Sequence, residues 1–384
     1  MRAPLIVLLC AATFANACSI GAFPSLLPEI ASDTQLPDWQ LGLFAGAFGF
    51  ARMLADLPAG FLIARHLASA LVAGSVALAA GTLTLAVADG FALLFAGRAL
   101  MGVGHALNMV AGLTAILHAY AARRLSVALN AFELSAMVGL LGGAGLVAIL
   151  PGALTWKAVF LAACAPQIFA VLALPAVLPR LPRRAELHAA AATTSRAPRV
   201  GALVVLAFAA GSTVAITYSS VEQIVIPVRG SREFALDRAG IARLFMLMQA
   251  CDIAALIPLG LLADRIGSVR VLAGVTFSLA IGSVLIGFGP LPALVAGGVL
   301  FGVGMAGWML PLSVLRRETP PALIAWRTAL YRVGVDGGLF LGPVAGALLA
   351  GRHLAVVAVA LVLIGATLLL ADRRRLAVLE PAPR

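Results

Sequence analysis

The chain has 384 residues, of which 11% are charged and 62% hydrophobic, and its mean hydropathy is +1.06. A soluble domain carries about a quarter charged residues, so a soluble fold is excluded and the class is a polytopic membrane protein. The net charge of +11 does not mark a nucleic-acid binder: the arginines sit in short loops and tails, without a basic stripe interleaved with aromatic residues. Cys10, Cys18, Cys164 and Cys251 all lie in apolar runs, without metal-ligand spacing or a disulfide framework, and read as small packing residues.

A membrane span needs about 20 apolar residues. Breaks at charges, Pro and Gly then predict twelve spans, at 4–30, 38–64, 69–88, 91–118, 126–150, 156–178, 201–227, 238–263, 269–288, 291–315, 323–349 and 354–371. The first resembles a signal peptide, with Arg2 ahead of it and Ala15-Asn16-Ala17 as a cleavage-like site. Its apolar character continues to Ile30, past any such site, so it is read as a retained helix.

Orientation follows from the arginines. With both termini cytoplasmic, Arg65, Arg123, Arg124, Arg180, Arg265, Arg270, Arg316, Arg317, Arg327 and the tail arginines fall inside. Only Lys157, Arg229, Arg232, Arg238 and Arg352 fall outside. The expected location is a plasma membrane of the bacterial inner-membrane type. The polar, basic stretch 181–200 reads as a cytoplasmic linker between six-helix bundles at 1–180 and 201–384, the second ending in a short basic tail. Its arginines are expected to meet anionic headgroups.

The two bundles read as copies. Pro58-Ala59-Gly60-Phe61-Leu62-Ile63-Ala64-Arg65 shares its proline, a glycine, a leucine and the arginine with Pro258-Leu259-Gly260-Leu261-Leu262-Ala263-Asp264-Arg265, 200 residues later. Ala96-Gly97-Arg98-Ala99-Leu100-Met101-Gly102-Val103-Gly104 matches Ala296-Gly297-Gly298-Val299-Leu300-Phe301-Gly302-Val303-Gly304 at the same offset. The fold class is therefore all-α, with 12 transmembrane helices in two six-helix parallel repeats. Glycine ladders, including Gly139 to Gly145 and Gly338, Gly342 and Gly346, allow close helix approach. Pro343 bends its helix.

An ionisable residue within a span requires a partner or a function. The candidates for solute binding or proton coupling are Arg52, Asp56, Arg98, Glu222, Asp252, Arg332 and Asp336. Asp252 lies twelve residues before Asp264, about 18 Å along a helix, which places it near the midplane. It is the first candidate for proton uptake; a carboxylate held by neighbouring hydroxyls or by Arg98 is an equal alternative. Arg52 with Asp56, and Arg332 with Asp336, stand four apart on one helix face. Self-neutralised helices are the favoured reading, and an exchange of arginine partners between the halves is the alternative. Glu222 has a polar helix end as its alternative. His105 and Asn108 are expected in an interhelical hydrogen bond, and Glu133 in a pair with Arg124 at the rim. Trp308 and Trp326 are expected to be packing or interface residues, and Arg243 to snorkel from an outer helix end.

These residues resemble the major facilitator superfamily of secondary transporters over essentially the whole chain. The segment from Gly260 through Asp264 and Arg265 to Gly267 resembles the family's signature between the second and third helix of a half. The segment Arg98 to Gly104 resembles its fourth-helix motif, and Gly338 to Gly346, including Gly342 and Pro343, its glycine-proline motif. The resemblance implies a gate-loop role for Gly60, Arg65, Gly260, Asp264, Arg265 and Gly267, with Asp264 holding the loop through Arg265 and a helix end. For Arg98 it implies proton handling or anion binding. Gly102, Gly104, Gly338, Gly342, Pro343 and Gly346 are implied to pack helices. The first-half loop departs from the pattern: Ala64 replaces the acid that helps lock the gate, and Leu67 replaces a glycine. The glycine-proline motif stands on the eleventh span rather than the fifth, and the first span lacks the acid of many drug–proton antiporters.

The expected function is alternating-access transport of a small solute by a monomer driven by a proton gradient, with no cofactor and no nucleic-acid partner. Efflux antiport is favoured by the intramembrane carboxylates; uptake symport of a small organic anion is favoured by Arg52, Arg98 and Arg332. A non-transporting membrane sensor or assembly protein is the lesser alternative. A phosphate-binding loop is missing from the sequence, whose only lysine is Lys157. Enzymatic activity is not expected, because no nucleophile–base or metal constellation is legible.

Overall fold

The structure is a computed structural model, and it describes residues 3–119, 122–181, 201–320 and 323–379. Among the described residues the chain is helical with no strand. The helices are α1 (Ala3–Thr34), α2 (Asp38–Ala86), α3 (Phe91–Ala119), α4 (Ala122–Ile149), α5 (Trp156–Cys164), α6 (Pro166–Leu172), α7 (Leu174–Val177) and α8 (Ala202–Ser220). After a π-helical turn at Val221–Val225 come α9 (Ile226–Arg232), α10 (Arg238–Ile266), α11 (Ser268–Phe288) and α12 (Leu291–Met305). The last are α13 (Leu310–Arg317), α14 (Ile324–Leu348) and α15 (His353–Leu379).

Ten helical stretches of the described residues are long and apolar enough to cross a membrane. The other two of the expected twelve, the first part of α2 and α14, are helices of sufficient length that carry Arg52 with Asp56 and Arg332 with Asp336. Their charges lower the hydropathy that marks the rest.

Local sequence accounts for where the helices break. The sixth span is cut into α5, α6, α7 and a 3-10 turn at Leu178–Arg180; Pro166, Pro175 and Pro179 stand at or beside the start of the last three pieces. Proline is accepted in a first helical turn but interrupts a helix interior. The tenth span divides into α12 and α13 around the turn at 306–309. The two copies turn differently after their second helix. Gly267 (φ 97°) takes the left-handed conformation and separates α10 from α11. Leu67, which stands in that place in the first copy, is buried, and α2 continues through a kink at one non-helical residue, His66 (φ −144°, ψ 61°). A leucine resists the left-handed region that glycine enters freely, so the two expected spans follow one another in α2 without a loop.

Two compact units form. One comprises Met1–Ala192 and Glu222–Met246, the other Thr193–Val221 and Leu247–Arg384. The units thus divide inside the seventh and eighth spans as well as near the expected linker. Linker residues 182–200, with Arg183, Arg184, Arg196 and Arg199, lie outside the described residues, as do Arg2 and Arg384. The first unit is filled by two apolar clusters, one around Phe23, Phe44, Met101 and Phe160, the other around Leu9, Ile63, Ala111 and Phe132. The second packs around Ala207, Leu272, Val314 and Leu368.

Candidate solute and proton site

Within the first unit the site is built by glycine contacts that bring α3 against α2. A Cβ on Gly102 would run into the Phe48 carbonyl oxygen, and one on Gly104 would lie 2.6 Å from the Gly74 oxygen. That close approach lowers Arg98 into the helix bundle, where it is 1% exposed and the largest fully buried side chain. Its guanidinium carbon lies 3.6 Å from the centroid of the Phe23 ring and 4.8 Å from that of Phe48. Phe23 meets Phe44 edge-on at 5.2 Å, which fixes the ring's orientation. Arg98 Nη2 donates to Gln223 Oε1 at 3.3 Å. Cation–π contacts are worth about 2 kcal/mol when desolvated, and together with the hydrogen bond they offset part of the cost of burying a charge.

Phe48 gathers further groups. The Arg52 guanidinium lies 5.8 Å from its centroid, and the His105 ring 5.4 Å. Arg52 also acts electrostatically on Glu133 from α4. Glu133 was expected to pair with Arg124, whose side chain lies outside the description. His105 packs on an aromatic ring. Asn108 departs from the expected interhelical bond: neither atom of its buried amide has a hydrogen-bond partner among the described residues.

Gln223 and the half-buried Glu222 both lie in the π-helical turn, and Gln223 is itself buried. The local cause is Pro227, which has no N–H to give the carbonyl of Gln223 four residues earlier. The ladder shifts register there, and such turns recur at functional sites.

Three arrangements were not anticipated. Gln167 Nε2 donates to Ser19 Oγ at 2.8 Å while its Oε1 accepts from Thr82 Oγ1 at 3.0 Å, a buried chain joining α1, α2 and α6. Arg238, expected as an outer-loop charge, is 5% exposed and donates to Glu29 Oε2 (3.1 Å), to the Leu154 carbonyl (2.8 Å) and to the Pro151 carbonyl. In the second unit, His353 Nε2 is hydrogen-bonded to Ser220 Oγ, both buried. At two helix ends of the first unit, Arg232 pairs with Asp38 at 2.7 Å and holds that carboxyl below its ordinary value of 3.8.

The second unit holds most of the remaining interior charges. Asp252 is half-buried on α10, and its Oδ2 accepts from Gln249 Nε2 at 3.1 Å. Asp336 is 1% exposed on α14, one turn after the half-buried Arg332. In the first unit Asp56, also half-buried, lies one turn after Arg52 on α2. Gly338 and Gly342 press α14 onto α8, with Ser212 and Ile216 oxygens in the way of any added Cβ. Pro343 and Gly346 are buried in the same helix. Tyr218 meets Trp308 edge-on at 5.7 Å, whereas Trp326 is exposed.

The gate-loop residues are open. Gly60 and Gly260 have no atom within 4 Å of an added Cβ. Arg65, Asp264 and Arg265 are exposed, and among the described residues none of the three side chains has a hydrogen bond or ion pair.

The family model described as Major Facilitator Superfamily matches residues 9–225, more than half of the chain. The chain belongs to the major facilitator superfamily. No curated protein matches it. Among solved structures, this major-facilitator chain is similar to a peptide transporter POT in complex with sulfate, at TM-score 0.78 and 14% identity, covering 96% of this chain and 94% of that one. It is similar to a mutant of the nucleoside transporter NupG, at TM-score 0.74 and 14% identity over 96% and 98% of the two chains. It is also similar to a bacterial homolog of the human lysosomal transporter Spinster, in an inward-facing and occupied conformation, at TM-score 0.74 and 16% identity over 97% of each. At these identities the likeness concerns the fold. The chain is an integral membrane transporter of the major-facilitator type.

Proposed function

We propose that this transporter moves a small solute by alternating access and draws on a proton gradient, with no cofactor and no catalysed reaction. The observation that carries the reading is the Arg98 cradle, a cation 1% exposed between Phe23 and Phe48 and bonded to Gln223. A charge held so far from water is costly to retain without a use, and at this depth it can hold an anionic group or answer a moving proton. Asp252 is the proton carrier in this reading. The proton affinity of a carboxylate depends on whether water reaches it, so alternating access links its protonation to the cycle. Solute and proton then compete, and the direction is efflux by antiport from a plasma membrane, by a monomer with both termini in the cytoplasm.

Uptake of a small organic anion with a proton is the second reading, and the buried guanidinium of Arg98 is the observation that favours it. One experiment separates the two. The purified chain is placed in liposomes with an imposed pH gradient and screened against peptides, nucleosides and organic anions. Antiport predicts solute movement against the proton flow, symport predicts movement with it, and Asp252→Asn abolishes the gradient dependence in either case. Solute flux indifferent to the pH gradient would remove proton coupling altogether.

A further inference from the structure

At one end of the second unit the start of α11, the end of α13 and the last turns of α15 converge. Ser268 Oγ, in the first turn of α11, lies 3.5 Å from Ser313 Oγ of α13, and Arg270 Nε donates to Asp372 Oδ2 of α15 at 2.8 Å. Arg316 and Arg317 follow Ser313 by three and four residues, so they share its helix face. Arg373 follows Asp372 directly. Arg270, Arg316, Arg317 and Arg373 are all exposed, and among the described residues only Arg270 has an ion pair. Asp372 is therefore answered within the cluster, and the remaining positive charge faces outward.

We infer that this corner binds the headgroup of an anionic phospholipid. Two observations favour a lipid over a free anion or an acidic protein. The arginines stand where the apolar stretches Leu291–Arg317 and His353–Arg374 end, which is the level of headgroup phosphates. Apolar side chains are exposed alongside: Leu370 on α15 and Ile266 on α10 are 55% and 44% exposed, a surface for an acyl chain below a phosphate. A juxtamembrane arginine near anionic lipid strengthens binding by about fivefold.

The test uses the purified full chain in native mass spectrometry, titrated with phosphatidylglycerol or phosphatidylcholine. The chain should retain phosphatidylglycerol in preference. The triple variant Arg270→Gln, Arg316→Gln, Arg373→Gln should bind it on the order of 100-fold more weakly. Arg352→Gln, an exposed arginine outside the corner, should bind as the unmodified chain does. If the triple variant cannot be purified, the single variant Arg316→Gln should lose part of the thermal stabilisation that phosphatidylglycerol nanodiscs give over phosphatidylcholine nanodiscs. Undiminished phosphatidylglycerol binding by the variants would overturn the inference, as would an equal loss in Arg352→Gln. Competition of equal strength by inorganic phosphate or by polyglutamate would assign the corner to a free anion or an acidic protein instead.

Discussion

In the first copy of the repeat, Gly102 of α3 meets the Phe48 carbonyl of α2; in the second, Gly302 of α12 meets the Met248 carbonyl of α10. Both the glycines and their partners stand 200 residues apart. The backbone repeats in its turns too: Gln35 (φ 52°) and Ala235 (φ 50°) take the same left-handed conformation after the first helix of each copy. The chemistry on this shared frame differs. Arg98 corresponds to Gly298, Phe48 to Met248, and Arg52 to Asp252. Where helices touch through backbone, a side chain has no room, and the position is constrained in both copies. One turn away the side chains are free to diverge. The first copy carries a stacked cation, and the second carries a carboxylate at the position of a cation.

Substitutions at corresponding positions can break or sharpen this comparison. The largest effect is expected for Arg98→Ala, which removes two ring contacts and a hydrogen bond and leaves a cavity, at a cost of about 2–4 kcal/mol. Gly298→Ala should be close to neutral, since its Cβ would meet only the flexible Met248 side chain at 3.3 Å. Equal thermal unfolding midpoints for the two variants would mean that the copies do not differ here.

Next come Gly102→Ala and Gly302→Ala, each expected to lose about 1–3 kcal/mol because the obstacle is backbone. Gly274→Ala, with nothing within 4 Å, should be neutral or stabilising by up to about 1 kcal/mol. Denaturation in detergent that ranked Gly274→Ala with the other two would refute the shared backbone contact.

Gln167→Leu should cost about 1–2 kcal/mol by opening the Ser19–Gln167–Thr82 chain. Ile364 holds the matching place in the second copy, each residue lying eleven beyond the start of its span at Trp156 or His353. Ile364→Leu should stay within about 1.5 kcal/mol, and thermal melts of both variants check the contrast.

The smallest effect belongs to Asp38 and Arg232, both about half exposed and therefore screened. The folded carboxyl lies below 3.8, so the pair's stabilisation is full above that pH and fades as pH falls through the lowered value. Asp38→Asn should cost less than about 1 kcal/mol at neutral pH and make the unfolding midpoint less sensitive to acid below pH 4, which an acid titration of thermal melts would measure.

Hydropathy and spacing are local properties, so the sequence by itself determined that the chain crosses a membrane, where its helices lie, that it is a tandem copy and which superfamily it resembles. Leu67 in place of a glycine was legible in the same way, but its consequence, a continuous α2 instead of two spans joined by a loop, was not. Tertiary structure alone decided what the polar residues do. Helices that are apolar on nearly every face give no periodicity from which to tell an inner face from an outer one. Gln167 is, by sequence, only one polar residue in an apolar run; α1 and α2 supply its partners Ser19 and Thr82. Arg238 read as a loop charge until the Pro151–Leu154 turn and Glu29 enclosed it, and His353 was unmarked until Ser220 met it. The burial of Arg98 needed two phenylalanines, Phe23 and Phe48, from different helices. A partner's position depends on how each helix is rotated against its neighbours, and that rotation is fixed by glycine contacts between segments far apart in the chain.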